Sequence, residues 1–135
     1  MLTKTQLKIL AYLIDNQERK FGIRELAKEI YTVYYLVQRN IQQLKEKGII
    51  TLEKAGKTSL IKLVPQIEPV NLIEAEKFKR ENFYNKYPYL RTILKKVIQQ
   101  TKSVFFILLV FGSYAKNQPR EDSDLDLLVI VPQQR

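Results

Sequence analysis

Residues 26–50 read LAKEIYTVYYLVQRNIQQLKEKGII, and the apolar spacing of this stretch decides the fold of the front of the chain. Leu26, Ala27 and Ile30 recur at helical intervals after Ile23, and Val33, Val37, Ile41 and Leu44 do so again beyond a break at Tyr31-Thr32. Two stripes of period near 3.6, separated by a short turn, predict two helices over about 23–30 and 33–47, each burying one face. Gly48 is placed to end the second helix, where the chain favours a positive φ. Working outward, Thr3 can cap a helix over about 4–16 with Leu7, Leu10, Leu13 and Ile14 on one side. Gly22 punctuates the chain between helices. Downstream, 49–54, a turn at Ala55-Gly56 and 57–64 read as a small hairpin before Pro65.

Three helices and a β-hairpin in this order resemble a winged helix-turn-helix. The resemblance covers about residues 3–64 and rests on Leu26-Ala27-Lys28-Glu29-Ile30, Leu44 and Lys47-Gly48-Ile49-Ile50. It implies a third helix that enters the major groove of DNA and a wing that lies along the backbone. The outward positions of that helix are Tyr34, Tyr35, Gln38, Arg39 and Gln42. Arg and Gln can read base edges through paired hydrogen bonds, and Tyr can reach phosphates or pack on sugars. Lys54 and Lys57, flanking the wing turn, are expected near phosphates. Two positions depart from the pattern: Tyr31 replaces the usual turn glycine, and Leu36 stands where a small polar residue often faces DNA. A docking or dimerisation role, with Tyr34 and Tyr35 as interface aromatics, is the competing reading.

A second stretch, FGSYAKNQPREDSDLDLLVIV at 111–131, carries the chemistry. An apolar run over 104–111 leads into Gly112-Ser113, and a spacer of about ten residues ends at Asp124-Leu125-Asp126 ahead of another apolar run. Alternate residues of a strand share a face, so Asp124 and Asp126 are expected to point together. Two adjacent carboxylates repel unless a cation lies between them, and Mg²⁺ prefers hard oxygen ligands. A helix beginning near Ser113 would aim free N–H groups at an anion. The order strand, Gly-Ser, spacer, Asp-x-Asp, strand resembles the signature of DNA polymerase β-like nucleotidyltransferases, the minimal ones especially, on Gly112, Ser113, Asp124 and Asp126. Transfer of a nucleoside monophosphate from a nucleoside triphosphate to an acceptor hydroxyl is the activity this implies. Asp124 and Asp126 would be the catalytic metal ligands for Mg²⁺ or Mn²⁺, and Gly112 and Ser113 would hold the triphosphate. The family's third acidic residue, on a later strand, has no counterpart in these residues, so the resemblance leaves activity open. The alternative is a non-enzymatic winged-helix regulator, or antitoxin-like partner, whose C-terminal motif senses nucleotide or supports oligomerisation.

Rival chemistries lack residues that they require. Asp122, Asp124 and Asp126 have EF-hand spacing, but Leu127 and Gln133 stand where that loop needs Gly and Glu. Gly56-Lys57-Thr58 ends like a phosphate-binding loop, yet Thr51 occupies its first glycine position. The chain has no His and no Cys, which removes the usual zinc sites, Ser-His triads and thiol chemistry.

The 135 residues carry a net charge of +9. Residues 1–65 hold 12 Lys and Arg against 6 Asp and Glu, 66–103 hold 8 against 4, and 104–135 hold 3 against 4. The excess lies upstream of the carboxylates and points to a polyanion partner for the front. No apolar run approaches the twenty residues of a membrane span, and the N-terminus has no signal-peptide core, so a cytoplasmic protein is expected. The full expectation is an α+β chain. It has a winged helix-turn-helix over 1–65, a linker with connecting helices over 66–103, where Pro65 and Pro69 stop regular structure, and a partial nucleotidyltransferase-like strand–helix–strand unit over 104–135. Helical patterns are expected at 74–85 and 89–102, the latter with Leu90, Ile93, Leu94, Val97 and Ile98 on one stripe. A run apolar at every position, as at 104–111, expects cover on both faces. Its missing neighbours are expected from a second copy (a homo-oligomer), from another polypeptide, or from further sequence of the same protein.

Overall fold

Thr3 starts the fold. Its hydroxyl accepts from the Gln6 amide at 3.2 Å while the Gln6 side chain accepts from the Thr3 amide at 3.2 Å. This reciprocal cap satisfies two N–H groups that a new helix leaves unpaired, and helix α1 (Lys4–Asp15) follows. The computed structural model describes residues 1–133; the last two residues of the 104–135 segment lie outside the described residues. The chain divides into two compact units, Met1–Tyr89 and Leu90–Arg135.

In the first unit, strand β1 (Phe21–Gly22), helix α2 (Ile23–Glu29), helix α3 (Tyr34–Glu46) and strands β2 (Ile50–Ala55) and β3 (Thr58–Leu63) follow α1. The sheet is antiparallel in the order β1-β3-β2. Ala55 pairs with Thr58, so the hairpin turn is Gly56-Lys57, one residue later than its sequence suggests. Gly56 takes φ +63° at the first central position, as two-residue hairpin turns require. Strand β1, invisible as a periodicity, is fixed by Phe21 opposite Ile61. Phe21 is fully buried, meets the Tyr12 ring edge-on at 5.4 Å and lies under the Arg19 guanidinium at 4.6 Å.

The core joins Ile9, Leu10 and Leu13 of α1 with Leu26, Ala27, Ile30, Val37, Ile41, Leu44, Ile50 and Ile61. Burial of each large aliphatic side chain stabilises by roughly 1.5–3 kcal/mol. Val33, expected inward, is instead the N-cap of α3 with extended backbone, which takes it off the helical stripe and leaves it exposed.

Helices α2 and α3 end in the same way. After α3, Gly48 donates to the Lys45 carbonyl at 3.0 Å and Ile49 to that of Leu44 at 3.0 Å. After α2, Tyr31 donates to Lys28 at 3.2 Å and Thr32 to Ala27 at 3.0 Å. Both are Schellman closures, whose first residue beyond the cap is left-handed. Gly48 meets this at φ +71° and Tyr31 at φ +51°.

Helix α4 (Pro69–Lys86) begins inside the stretch expected to be linker. Proline occupies its first turn, where the missing N–H has no helical partner to lose and the fixed φ is already helical. The helix packs on α1 through Ala75, its fully buried residue. Glu74 accepts from the Leu2 amide at 3.2 Å, and Lys79 pairs with Asp15 at 2.6 Å.

The second unit follows the start of helix α5 (Pro88–Gln100), in which Leu90 and Leu94 are buried while Ile93 and Ile98 of the expected stripe are exposed. Strands β4 (Ile107–Phe111) and β5 (Asp126–Ile130) pair antiparallel, with Phe111 opposite Asp126 and Ile107 opposite Ile130. Val104 and Phe105 stay outside β4 and exposed. Instead of a longer helix, the strands are joined by a turn over 112–117 that includes one helical bond, from the Lys116 amide to the Gly112 carbonyl at 3.1 Å. One face of the pair, with Ile107, Leu109, Phe111, Leu128 and Ile130, is open to solvent rather than covered. No helix among the described residues is long and apolar enough to cross a membrane.

Candidate nucleic-acid interface and carboxylate pair

Tyr35, Gln38, Arg39 and Gln42 follow one another at i, i+3, i+4 and i+7, so α3 presents them on a single face. The buried stripe of Val37, Ile41 and Leu44 turns that face outward. With Ile23 of α2, Leu52 of β2 and Ser59 of β3, the four line a groove of about 440 Å³ between the helix and the wing. Lys54 is paired opposite Ser59, which puts both on one face of the sheet. Lys57 lies within the turn, at the wing tip. Tyr34, the remaining expected contact, is off this face, with the Arg24 guanidinium 4.9 Å from its ring centre. All seven residues expected at the interface are exposed. The Gln42 side chain donates to Glu46 at 3.3 Å along the helix.

Sequence reasoning missed Arg24 and Ser59. Arg24 reaches Tyr34 only because α2 and α3 pack together, and Ser59 joins the groove only through its register with β2. Neither carries a local signal.

A polar strut holds α3 against α1. Gln6 is buried; its amide donates to Gln43 at 2.8 Å and its carbonyl accepts from Lys47 Nζ at 3.0 Å. Buried Asn40 donates to the Leu36 carbonyl at 2.7 Å and lies 3.4 Å from the Thr3 hydroxyl. Each polar atom of this kind is costly to bury alone, so the network fixes the azimuth of the groove-lining face.

In the second unit, Gly112 turns the chain at φ +75° directly after β4. A Cβ there would collide with the Asp126 carboxylate. The Gly-Ser bend and the first carboxylate of β5 are therefore in contact, because Asp126 pairs with Phe111 one residue before the bend. Asp124 is placed differently from its expectation: β5 starts at Asp126, leaving Asp124 exposed in the irregular segment before it. The shared-strand argument for the pair thus lapses, and Asp126 alone has its position set by the ladder. Ser123 shapes that segment, its hydroxyl accepting from the Arg120 amide at 2.6 Å. Among the described residues no three acidic side chains group as a metal cage. Mg²⁺ is commonly held by one or two carboxylates together with substrate phosphates, and the residues at this bend fit that smaller demand.

Comparison with known proteins gives a likeness of fold and a family-model match. A probable transcriptional regulator from Pseudomonas aeruginosa matches 71% of this chain with 78% of its own, at 20% identity and a TM-score of 0.52. The adhesin competence repressor AdcR of Streptococcus pyogenes matches 70% with 67% of its own, at 20% identity and a TM-score of 0.51. MepR, a regulator of the Staphylococcus aureus multidrug efflux pump MepA, matches 75% with 67% of its own, at 18% identity and a TM-score of 0.50. A point mutant of MepR bound to an oligodeoxyribonucleotide matches at 16% identity with the same score. The first unit has a winged-helix fold. At these identities the likeness is one of fold. The family model Polymerase beta, Nucleotidyltransferase matches residues 93–135, a stretch that includes Gly112, Ser113, Asp124 and Asp126. No curated protein matches the sequence.

Proposed function

We propose that the chain is a DNA-binding protein of the transcription-regulator type. Helix α3 enters the major groove, and the β2–β3 wing lies along the phosphates. The observation that carries this reading is the single exposed stripe of Tyr35, Gln38, Arg39 and Gln42 facing the wing across one groove. The basic excess of residues 1–65 and the DNA-bound MepR mutant of the same fold support it. Arg39 and the two Gln supply donors and acceptors for base edges, while Lys54 and Lys57 are suited to phosphates. Acting as its bacterial fold neighbours do, such a regulator would work in the cytoplasm. The test is a titration of the full chain against a mixed-sequence duplex at several salt concentrations. The log–log slope should be about −0.9 for each phosphate neutralised. Arg39→Ala should weaken binding about tenfold. A flat salt slope would overturn the reading.

A second reading is favoured by one observation, the contact of the Asp126 carboxylate with the Gly112 bend. We infer a Mg²⁺-nucleoside triphosphate site there. Asp126 and Asp124 would hold the cation, and Ser113 with the bend's backbone would bind the triphosphate tail. The cation, when bound, offsets phosphate charge. The regulator reading makes this a sensing site; nucleotidyl transfer is the alternative use of the same residues. Asp124→Asn with Asp126→Asn should abolish Mg²⁺-dependent triphosphate binding. Calorimetry giving the same heat for parent and variant would remove the site.

A further inference from the structure

The leading edge of α3 is apolar where a DNA-facing helix usually is not. Val33, the N-cap, is 74% exposed, and in the first turn that follows Tyr34 is 37% exposed, Tyr35 71% and Leu36 40%. The core has no use for these side chains: the buried residues of α3 are Val37, Asn40, Ile41 and Leu44. Tyr35 links this edge to the proposed interface, since it lines the groove beside Arg39, and Leu36 follows it directly along the helix. Its surroundings suit a polyanion. Residues 31–45 contain no acid, and Arg24 lies against neighbouring Tyr34.

In helix-turn-helix docking, the first residues of the recognition helix come closest to the base edges. Those edges present donors and acceptors at every base pair but only one apolar group, the 5-methyl of thymine. An apolar leading edge therefore has one complementary feature in the major groove. Polar bases would instead strip water from their own edge groups and find no hydrogen bond in return.

We propose that Val33 and Leu36, with the Tyr35 ring, read 5-methyl groups, so that the winged unit prefers duplexes carrying a pyrimidine methyl beneath the start of α3. This rests on the DNA-binding reading and specifies its substrate.

The test uses the full chain and two pairs of duplex polymers whose members differ only in that methyl. Alternating dA-dT is set against dA-dU, and dG with 5-methyl-dC against dG-dC. The methylated member of each pair should bind more tightly, by about fourfold for each methyl buried, the ratio expected from transfer of one methylene-sized group. Val33→Ser supplies an N-cap hydroxyl, which favours α3, so loss of discrimination in this variant cannot be ascribed to unfolding. Leu36→Ala should also bring both ratios toward one. Salt-dependent binding with equal affinity within each pair would overturn the methyl reading and leave DNA binding standing. Absence of salt-dependent binding to every polymer would overturn both, and would assign the aromatic edge to a protein partner.

Discussion

Tyr31 occupies the left-handed position that closes α2, and Gly48 occupies the equivalent position after α3. Glycine adopts this backbone without a Cβ clash, whereas other residues lose roughly 1–2 kcal/mol there. The tyrosine ring gains little in exchange, being 94% exposed. Tyr31→Gly should therefore stabilise the first unit by about 0.5–1 kcal/mol after the added flexibility of the unfolded chain is counted. A urea midpoint that stays put or falls would contradict this. The sequence marked the departure from a turn glycine but not the conformation that Tyr31 adopts. The opposite holds at Gly112, where the residue type announced the bend and the structure supplied its reason, the carboxylate of Asp126 pressed against it.

Among the elements, α4 shows how a helix can be held by a few contacts. Its polar and apolar residues do not segregate into faces, so local sequence gives little hint of what it covers. It is fixed to α1 by buried Ala75 and by Lys79 lying between Asp15 and Glu76, at 2.6 and 3.2 Å. Burial works against the Lys79 charge, but the hydrogen bond and attraction from Asp15, then those from Glu76, prevail and raise its pKa above 10.5. Because the folded value lies above the unfolded one, the contribution is fully present below pH 10.5 and is lost as pH rises through the folded value. Tyr12 acts in the same direction. Burial first, and the hydrogen bond it donates to Glu29 second, raise its pKa above 10.0 and favour the neutral phenol in the fold. Stability should thus decline on the alkaline side, and Lys79→Met should flatten that decline. Denaturation midpoints on both sides of pH 10.5 check it; parallel curves for parent and variant would count against the pair.

At the scale of the whole molecule, charge and apolar surface are unevenly shared. Residues 1–65 carry most of the basic excess, and 104–135 carry slightly more acid than base. The β4–β5 pair exposes Ile107, Leu109, Phe111, Leu128 and Ile130 on one face. Two strands alone make a marginal sheet, and an open apolar face favours association. A second copy of the chain is the occupant available in a solution of the pure protein. Sedimentation over a concentration series should show a species larger than the monomer, and Leu109→Lys should shift it toward monomer. A single monomer boundary throughout would sink this expectation.

Most of the helices and the wing were legible in the sequence. A 3.6-residue stripe or a two-residue alternation records which side of an element faces inward, and each element carries that record locally. Gly-Ser and Asp-x-Asp likewise marked a bend and a carboxylate, and the β4–β5 register brought the two together. Local pattern alone thus determined the order of helices and hairpin and the outward side of α3. Only the tertiary structure decided the two-residue strand around Phe21, the contact of Arg24 with Tyr34, the buried strut from Gln6 to Gln43 and Lys47, and the release of Asp124 from its strand. These join residues far apart along the chain, or depend on where a ladder stops. Such pairings leave no period in the sequence, because what sets them is the mutual burial of faces that meet only after folding.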